Sequence, residues 1–424
     1  MLQKIRTQSG VTEYVLPQNG LRVLHKQDNS APLVGVMVTY HVGSRNEAVG
    51  HTGSTHILEH LLFKDSKNFN TKNGKPPSKY LERLGASMNA TTWLDRTNYF
   101  ELMPKENAEQ AIALEADRMR YSQFSAADLK TEMTVVRNEY ERGRNNPEEL
   151  LDEAVWATAF MSHPYHHPTI GWKDDIEGST VEKLREFYDR FYYPNNATLS
   201  LFGALSKKEM EALVLKYFTK LPQAPTGIPH VHTKEGEQTG ARRVEIENDG
   251  ETSLVTLAHK APAATDPQFP IFLLISQILG GGLASRLQRA LVDTGKAVYV
   301  NTMMHGFHDP SLIQVTSQAT PSNTPAQLLE IIRGEYEKFK KAGPTAEELS
   351  RAKEQIKAIL SYSRDGILSE LFALNEAIAG GDWTSIYTME GAIQKVALQD
   401  VHRIAREALI PQKETVGILR PKKN

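Results

Sequence analysis

Cysteine is missing from all 424 residues. Its absence excludes disulfides and thiolate metal sites, and leaves histidine and carboxylate side chains as the strong ligands for an ion such as zinc. An excess of either charge is missing too. Lys and Arg number 49 against 51 Asp and Glu, a formal net charge of -2, so no bulk field draws the chain to nucleic acid or anionic lipid. Long apolar runs are also wanting. The most apolar stretch, residues 269–284, is broken by Pro270, Ser276, Gln277 and three glycines, and falls short of the roughly 20 apolar residues a membrane span needs. The opening Met1-Leu2-Gln3-Lys4-Ile5-Arg6 runs into polar sequence with no apolar leader core. The expectation is a soluble cytoplasmic protein with no nucleic-acid or membrane partner, a periplasmic one if a leader has been removed.

With 40% hydrophobic and 24% charged residues, the composition is that of a folded globular chain, and its length calls for two or more domains. A stretch rich in Pro, Gly and polar residues near the middle holds Pro222, Pro225, Pro229, Gly236 and Gly240 and reads as a linker. The expected division is residues 1–221, a linker at 222–243, and residues 244–424. The two halves look alike. A helical pattern from residue 181, a Pro-Asn turn and a strand at 197–201 are matched by a helix from 401, Pro411 and a strand at 415–419, as a duplicated domain would give. Strands are expected at 21–24, 33–40, 87–92, 98–102, 244–247, 254–258 and 312–315, and helices at 108–121, 127–142, 148–159 and 326–341. Many strand pairs are joined by short turns, which favours an α+β architecture: two homologous α/β sandwich domains, each a mostly antiparallel sheet packed with helices.

The most specific motif is His56-Ile57-Leu58-Glu59-His60, an H-x-x-E-H pattern of the inverted zinc-peptidase type. Residues four apart share one helix face, so both imidazoles can reach one ion, with Glu59 on the flank. Leu58, Leu61 and Leu62 point the other way into a core. Ser54 or Thr55 is expected to cap the helix start. Zinc at a catalytic site keeps three protein ligands and lowers the pKa of a water to about 7, and a carboxylate must then accept the proton. A third ligand has to come from another rigid element. The run from 132 to 139 offers Glu132 and Glu139, seven apart and so on one side of a helix. His163, His166 and His167, around Pro164 and Pro168, read as a turn with exposed imidazoles rather than a second metal site.

These features resemble the pitrilysin, insulysin and mitochondrial processing peptidase family, in its short two-domain bacterial form. The likeness rests on His56-x-x-Glu59-His60 followed by Glu132 and Glu139. Weaker matches are Asn89-Ala90-Thr91, His163-Pro164-Tyr165, Ile170-Gly171, Tyr193-Pro194-Asn195-Asn196-Ala197 and Gly280-Gly281-Gly282-x-x-Ser285-Arg286-Leu287. The resemblance implies a zinc metalloendopeptidase with one Zn2+ per chain, held by His56, His60 and Glu139. Glu59 is then the general base and Glu132 supports a ligand. The spacing to the distal Glu is about two residues longer than usual, attributed to an insertion at 64–79. It further implies that peptide substrates pair as an added strand with the edge carrying Asn89, Ala90 and Thr91.

One departure stands out. Family members pair an Arg and a Tyr seven residues apart in the second half, to fix the substrate carbonyl. Here Tyr299 is in place as the candidate catalytic residue, but the Arg position holds Val292, and Arg286 and Arg289 read as surface charges. The expectation is a heterodimer in which a homologous subunit supplies the Arg/Tyr pair, with a homodimer as fallback. The competing reading is a non-catalytic or regulatory subunit of a processing-peptidase-like complex.

Overall fold

The computed structural model describes residues 1–422. Among them, twelve strands form two sheets. β1 (Gln3–Gln8), β2 (Val11–Leu16), β3 (Leu21–Gln27), β4 (Leu33–Tyr40), β5 (Ser87–Thr92), β6 (Thr97–Pro104) and β7 (Ala197–Gly203) belong to the first. β8 (Arg242–Asn248), β9 (Leu254–Ala261), β10 (Ala297–Met304), β11 (Ser311–Ala319) and β12 (Glu414–Pro421) belong to the second. The first sheet runs β1-β2-β3-β7-β4-β6-β5 and the second β10-β11-β9-β12-β8. In the first only β3 and β7 are parallel, and in the second only β12 and β8. The five strands β3-β7-β4-β6-β5 therefore recur, in order and sense, as β8-β12-β9-β11-β10. The two halves are one fold used twice, and the strands at 197–201 and 415–419 occupy equivalent places.

Each sheet is covered on both faces, which is why its central strands are apolar almost throughout. In β4, Val34, Val36, Val38 and Tyr40 enter the main core with Ala111, Ile112 and Leu114 of helix Ala108–Tyr121. Residues of opposite parity face helix Ile367–Ala379. A Cβ on Gly35 would lie 2.6 Å from Ile367 and Leu371, and Thr39 Oγ1 donates to Asn375 Oδ1 at 2.8 Å. In the second sheet, Val416 and Ile418 of β12 enter the other core, while a side chain at Gly417 would strike Val155 and Leu151 of helix Pro147–Ala159.

The linear division at 222–243 is accordingly not the division of the compact units. One unit holds residues 1–140, 167–232 and 363–379, and the other holds 141–166, 233–362 and 380–424. Helices 147–159 and 367–379 each count with the sheet on whose small-residue strand they pack. No helix or strand lies between Phe218 and Arg242, and β8 begins inside the expected linker, at Arg242. No helix among the described residues is long and apolar enough to cross a membrane.

Candidate metal centre

The H-x-x-E-H motif lies on helix Ser54–Leu61, with Ile57, Leu58 and Leu61 buried. The helix packs against edge strand β5 and helix Val181–Phe191. Its start is not capped by Ser54 or Thr55, as the sequence suggests. Instead the Glu47 carboxylate accepts from Gly53 N at 2.8 Å, Thr55 N at 2.7 Å and Thr55 Oγ1 at 2.6 Å. Asp175 Oδ2 accepts from Thr52 N at 3.1 Å and Thr52 Oγ1 at 2.7 Å. A carboxylate at the first amides of a helix satisfies donors that no intrahelical carbonyl reaches, and complements the helix dipole. Burial pushes Glu47 up to about 8, while Thr55 and the Gly53 amide pull against it and Asp175 adds to the rise. Gly53 has φ +85, and a Cβ there would meet the Ile170 carbonyl at 2.5 Å, so the Ile170-Gly171 turn packs backbone to backbone on the helix start. At the other end the Tyr99 hydroxyl lies 3.4 Å from the carbonyls of Leu58 and Glu59.

Anchored at both ends, the helix aims two imidazoles at one point. His56 Nε2 and His60 Nε2 are 3.3 Å apart, and Glu139 Oε2 lies 3.4 Å from the first and 3.5 Å from the second. Glu139 comes from helix Ala126–Arg144. Among the described residues this trio is the group of three able to hold an ion. Zinc–ligand distances of 2.0–2.1 Å at tetrahedral angles place neighbouring ligand atoms about 3.3–3.4 Å apart, so the near-equilateral triangle has the edge length such an ion needs. Glu139 Oε2 is buried with no hydrogen-bond partner, which is costly unless a cation meets it. Burial, and next the neighbouring His60, hold His56 down to about 3, so it stays neutral and able to donate a lone pair.

Glu132, nearly two turns earlier on the same face of that helix, accepts from His60 Nδ1 at 3.2 Å and is itself held by Lys64 Nζ at 2.5 Å. That contact keeps the proton on Nδ1 and leaves Nε2 bare, the usual arrangement behind a metal-bound imidazole. The Glu59 carboxyl is raised mainly by burial, with Glu139 adding to the rise. The Thr92 hydroxyl, His60 and Arg96 oppose it. Asn89, Ala90 and Thr91 lie on β5, an edge strand whose only strand partner among the described residues is β6.

The structure thus gathers His56, His60, Glu139, Glu132 and Glu59. Tyr299 belongs to the other compact unit. It sits on edge strand β10, and its hydroxyl donates to Glu148 Oε1 at 2.6 Å. Val292 ends a short π-helical turn, Gln288–Val292. Arg286 is not a free surface charge: it pairs with Glu348 at 2.7 Å and donates to the Gly343 carbonyl. His163 and His167 are buried rather than exposed. Both His163 nitrogens are used, by Asp309 Oδ2 at 3.2 Å and the Tyr165 amide at 3.2 Å. Sequence reasoning missed Glu47, Lys64 and Arg96, because their partners lie outside any local spacing rule; for Glu47 the one available signal was an acidic residue shortly before the helix start.

Comparison with known proteins places the chain in a family. A family model described as insulinase (peptidase family M16) matches residues 22–173, and one described as the peptidase M16 inactive domain matches residues 179–356. The zinc protease PqqE of Helicobacter pylori is 30% identical over 417 residues, covering 96% of this chain and 93% of the relative. The uncharacterized zinc protease YmxG of Bacillus subtilis is 25% identical, covering 96% and 98%. A crystal structure of a protease from Helicobacter pylori superposes with a TM-score of 0.90 at 27% identity, covering 99% of this chain and 100% of that one. With the inverted motif on a rigid helix, a duplicated fold, and relatives of the same length named as zinc proteases, the chain belongs to the insulinase family of peptidases, M16.

Proposed function

We propose that the chain is a zinc metalloendopeptidase, with His56, His60 and Glu139 as ligands and Glu59 as general base. The observation that carries this reading is the 3.3–3.5 Å triangle of ligand atoms. Zinc, when bound there, supplies Lewis-acid polarisation of the scissile carbonyl and acidifies water. Glu59 takes a proton from the attacking water and returns it to the leaving amine. Its burial suits it to hold that proton between the two transfers. Glu132 keeps His60 in the ligating tautomer. The edge of β5, at Asn89, Ala90 and Thr91, aligns the peptide through main-chain hydrogen bonds, so many sequences are accepted.

The test is Glu59→Gln. It should retain one zinc per chain by elemental analysis and lose about 10²–10⁴-fold in peptide hydrolysis; undiminished turnover rejects the assignment.

Two observations favour a working unit of more than one chain, and they also keep a regulatory role in view. Val292 offers no cation at the position where the family uses Arg, and the Tyr299 hydroxyl is engaged by Glu148. A homologous subunit supplying an Arg/Tyr pair completes the site in a heterodimer, or a second copy in a homodimer. Full activity of the purified monomer would exclude both forms of assembly.

A further inference from the structure

Arg96, in the turn between β5 and β6, is a buried cation that the mechanism above leaves unused. Its Nη1 donates to the Thr91 carbonyl at 3.0 Å, to Thr91 Oγ1 at 2.5 Å and to Asn98 Oδ1 at 3.2 Å. Its Nε and Nη2 both donate to Glu376 Oε1, at 3.1 and 2.6 Å. Thr91 Oγ1 in turn donates to Asn98 Oδ1 at 2.6 Å. One planar guanidinium thus ties together the end of edge strand β5, its neighbour β6, and helix Ile367–Ala379. The helix is fastened to the same sheet by Asn375 to Thr39 and by Glu370 to Lys26 at 2.7 Å.

A guanidinium with this many bonds, nearly sealed from water, is a rigid strut, and no point charge such as lysine reproduces its fork. The strut ends on Thr91, in the edge strand against which the helix carrying Glu59 packs. Edge strands otherwise fray, since they have a ladder on one side only.

We propose that Arg96 is a positioning residue that fixes the end of β5 against Glu59, with Glu376 setting the direction of the guanidinium, so that a peptide added to this edge is held in register with the reacting centre. This rests on the reading that substrate pairs with β5. It assigns a part in substrate alignment to a helix that the chain reaches only at residues 367–379.

Binding of an extended ten-residue peptide, by calorimetry, to the zinc-loaded Glu59→Gln protein tests it without turnover. Adding Arg96→Gln should weaken binding about tenfold with zinc content and melting temperature held. Arg96→Lys should not restore it, and Glu376→Gln should weaken it by a smaller factor that vanishes once Arg96 is gone. A dipeptide amide, too short to form a ladder, should bind alike in every variant. Unchanged affinity for the long peptide, or equal loss on both ligands, overturns the proposal. No peptide binding by the parent rejects it together with the strand-edge reading. Hydrolysis that survives Glu59→Gln rejects the peptidase mechanism alone and leaves this inference to be decided by the affinities.

Discussion

The two compact units share a five-strand order and a glycine under a packed helix, yet among the described residues only one presents a trio of side chains able to hold an ion. In the first, the helix beside edge strand β5 carries His56, Glu59 and His60, and a second helix brings Glu132 and Glu139. In the second, edge strand β10 carries Tyr299 bonded to Glu148, and among the described residues no comparable group of ligands forms. The second unit is not short of histidine or acid. His163 lies beside Asp309, but both its nitrogens have partners. What separates a ligand from a structural histidine here is a bare nitrogen aimed at other bare acceptors. The duplicated scaffold is generic, and the chemistry depends on which lone pairs it leaves unspent.

The sharpest break in that comparison is to delete one histidine on each side. His60→Ala should abolish zinc binding by elemental analysis, whereas His163→Asn should leave one zinc per chain. Zinc surviving the first change, or lost with the second, means the two histidines have been misread. A smaller effect is expected at the supporting carboxylate. Glu132→Gln should keep the site but weaken zinc about 10–100-fold in a chelator competition, because His60 loses the partner that fixes its tautomer. The glycines probe the shared scaffold. Gly35→Ala and Gly417→Ala force a methyl into packed helices and should each cost about 1–3 kcal/mol in denaturant unfolding, but only Gly35→Ala should also loosen the zinc site.

A separate effect concerns pH. Glu47 is raised from 4.5 to about 8 in the folded chain, so the native state holds a proton that the unfolded state releases. Its contribution is fully present below about 4.5 and is lost as pH rises through about 8, at no more than about 1.4 kcal/mol per pH unit. Glu47→Gln should flatten the stability–pH curve of the first unit in that window, and an unchanged slope would show that Glu47 is ionised throughout.

Much of the scaffold was legible in the chain. Apolar runs bounded by turn residues gave β3, β4, β6, β8, β9 and β11, and the repeated helix, proline turn and strand gave β7 and β12 and revealed the duplication. Strand β1 was not visible, since Gln3–Gln8 is exposed at nearly every position and carries no alternation. Nor was helix Ile367–Ala379 read, or the exchange that places it and helix Pro147–Ala159 across the linker from the sheets they cover.

By itself the sequence determined the helix that carries His56 and His60, because a spacing of four on a 3.6-residue turn converges two imidazoles whatever surrounds them. It also determined the seven-residue carboxylate pair, nearly two turns apart on one helix. Only the tertiary structure decided that Glu139 closes the triangle, that Glu47 replaces Ser54 and Thr55 as the cap, and that Arg96 and Glu376 brace the edge. Those pairings join residues brought together by packing, and no periodicity along a chain encodes which distant side chains meet.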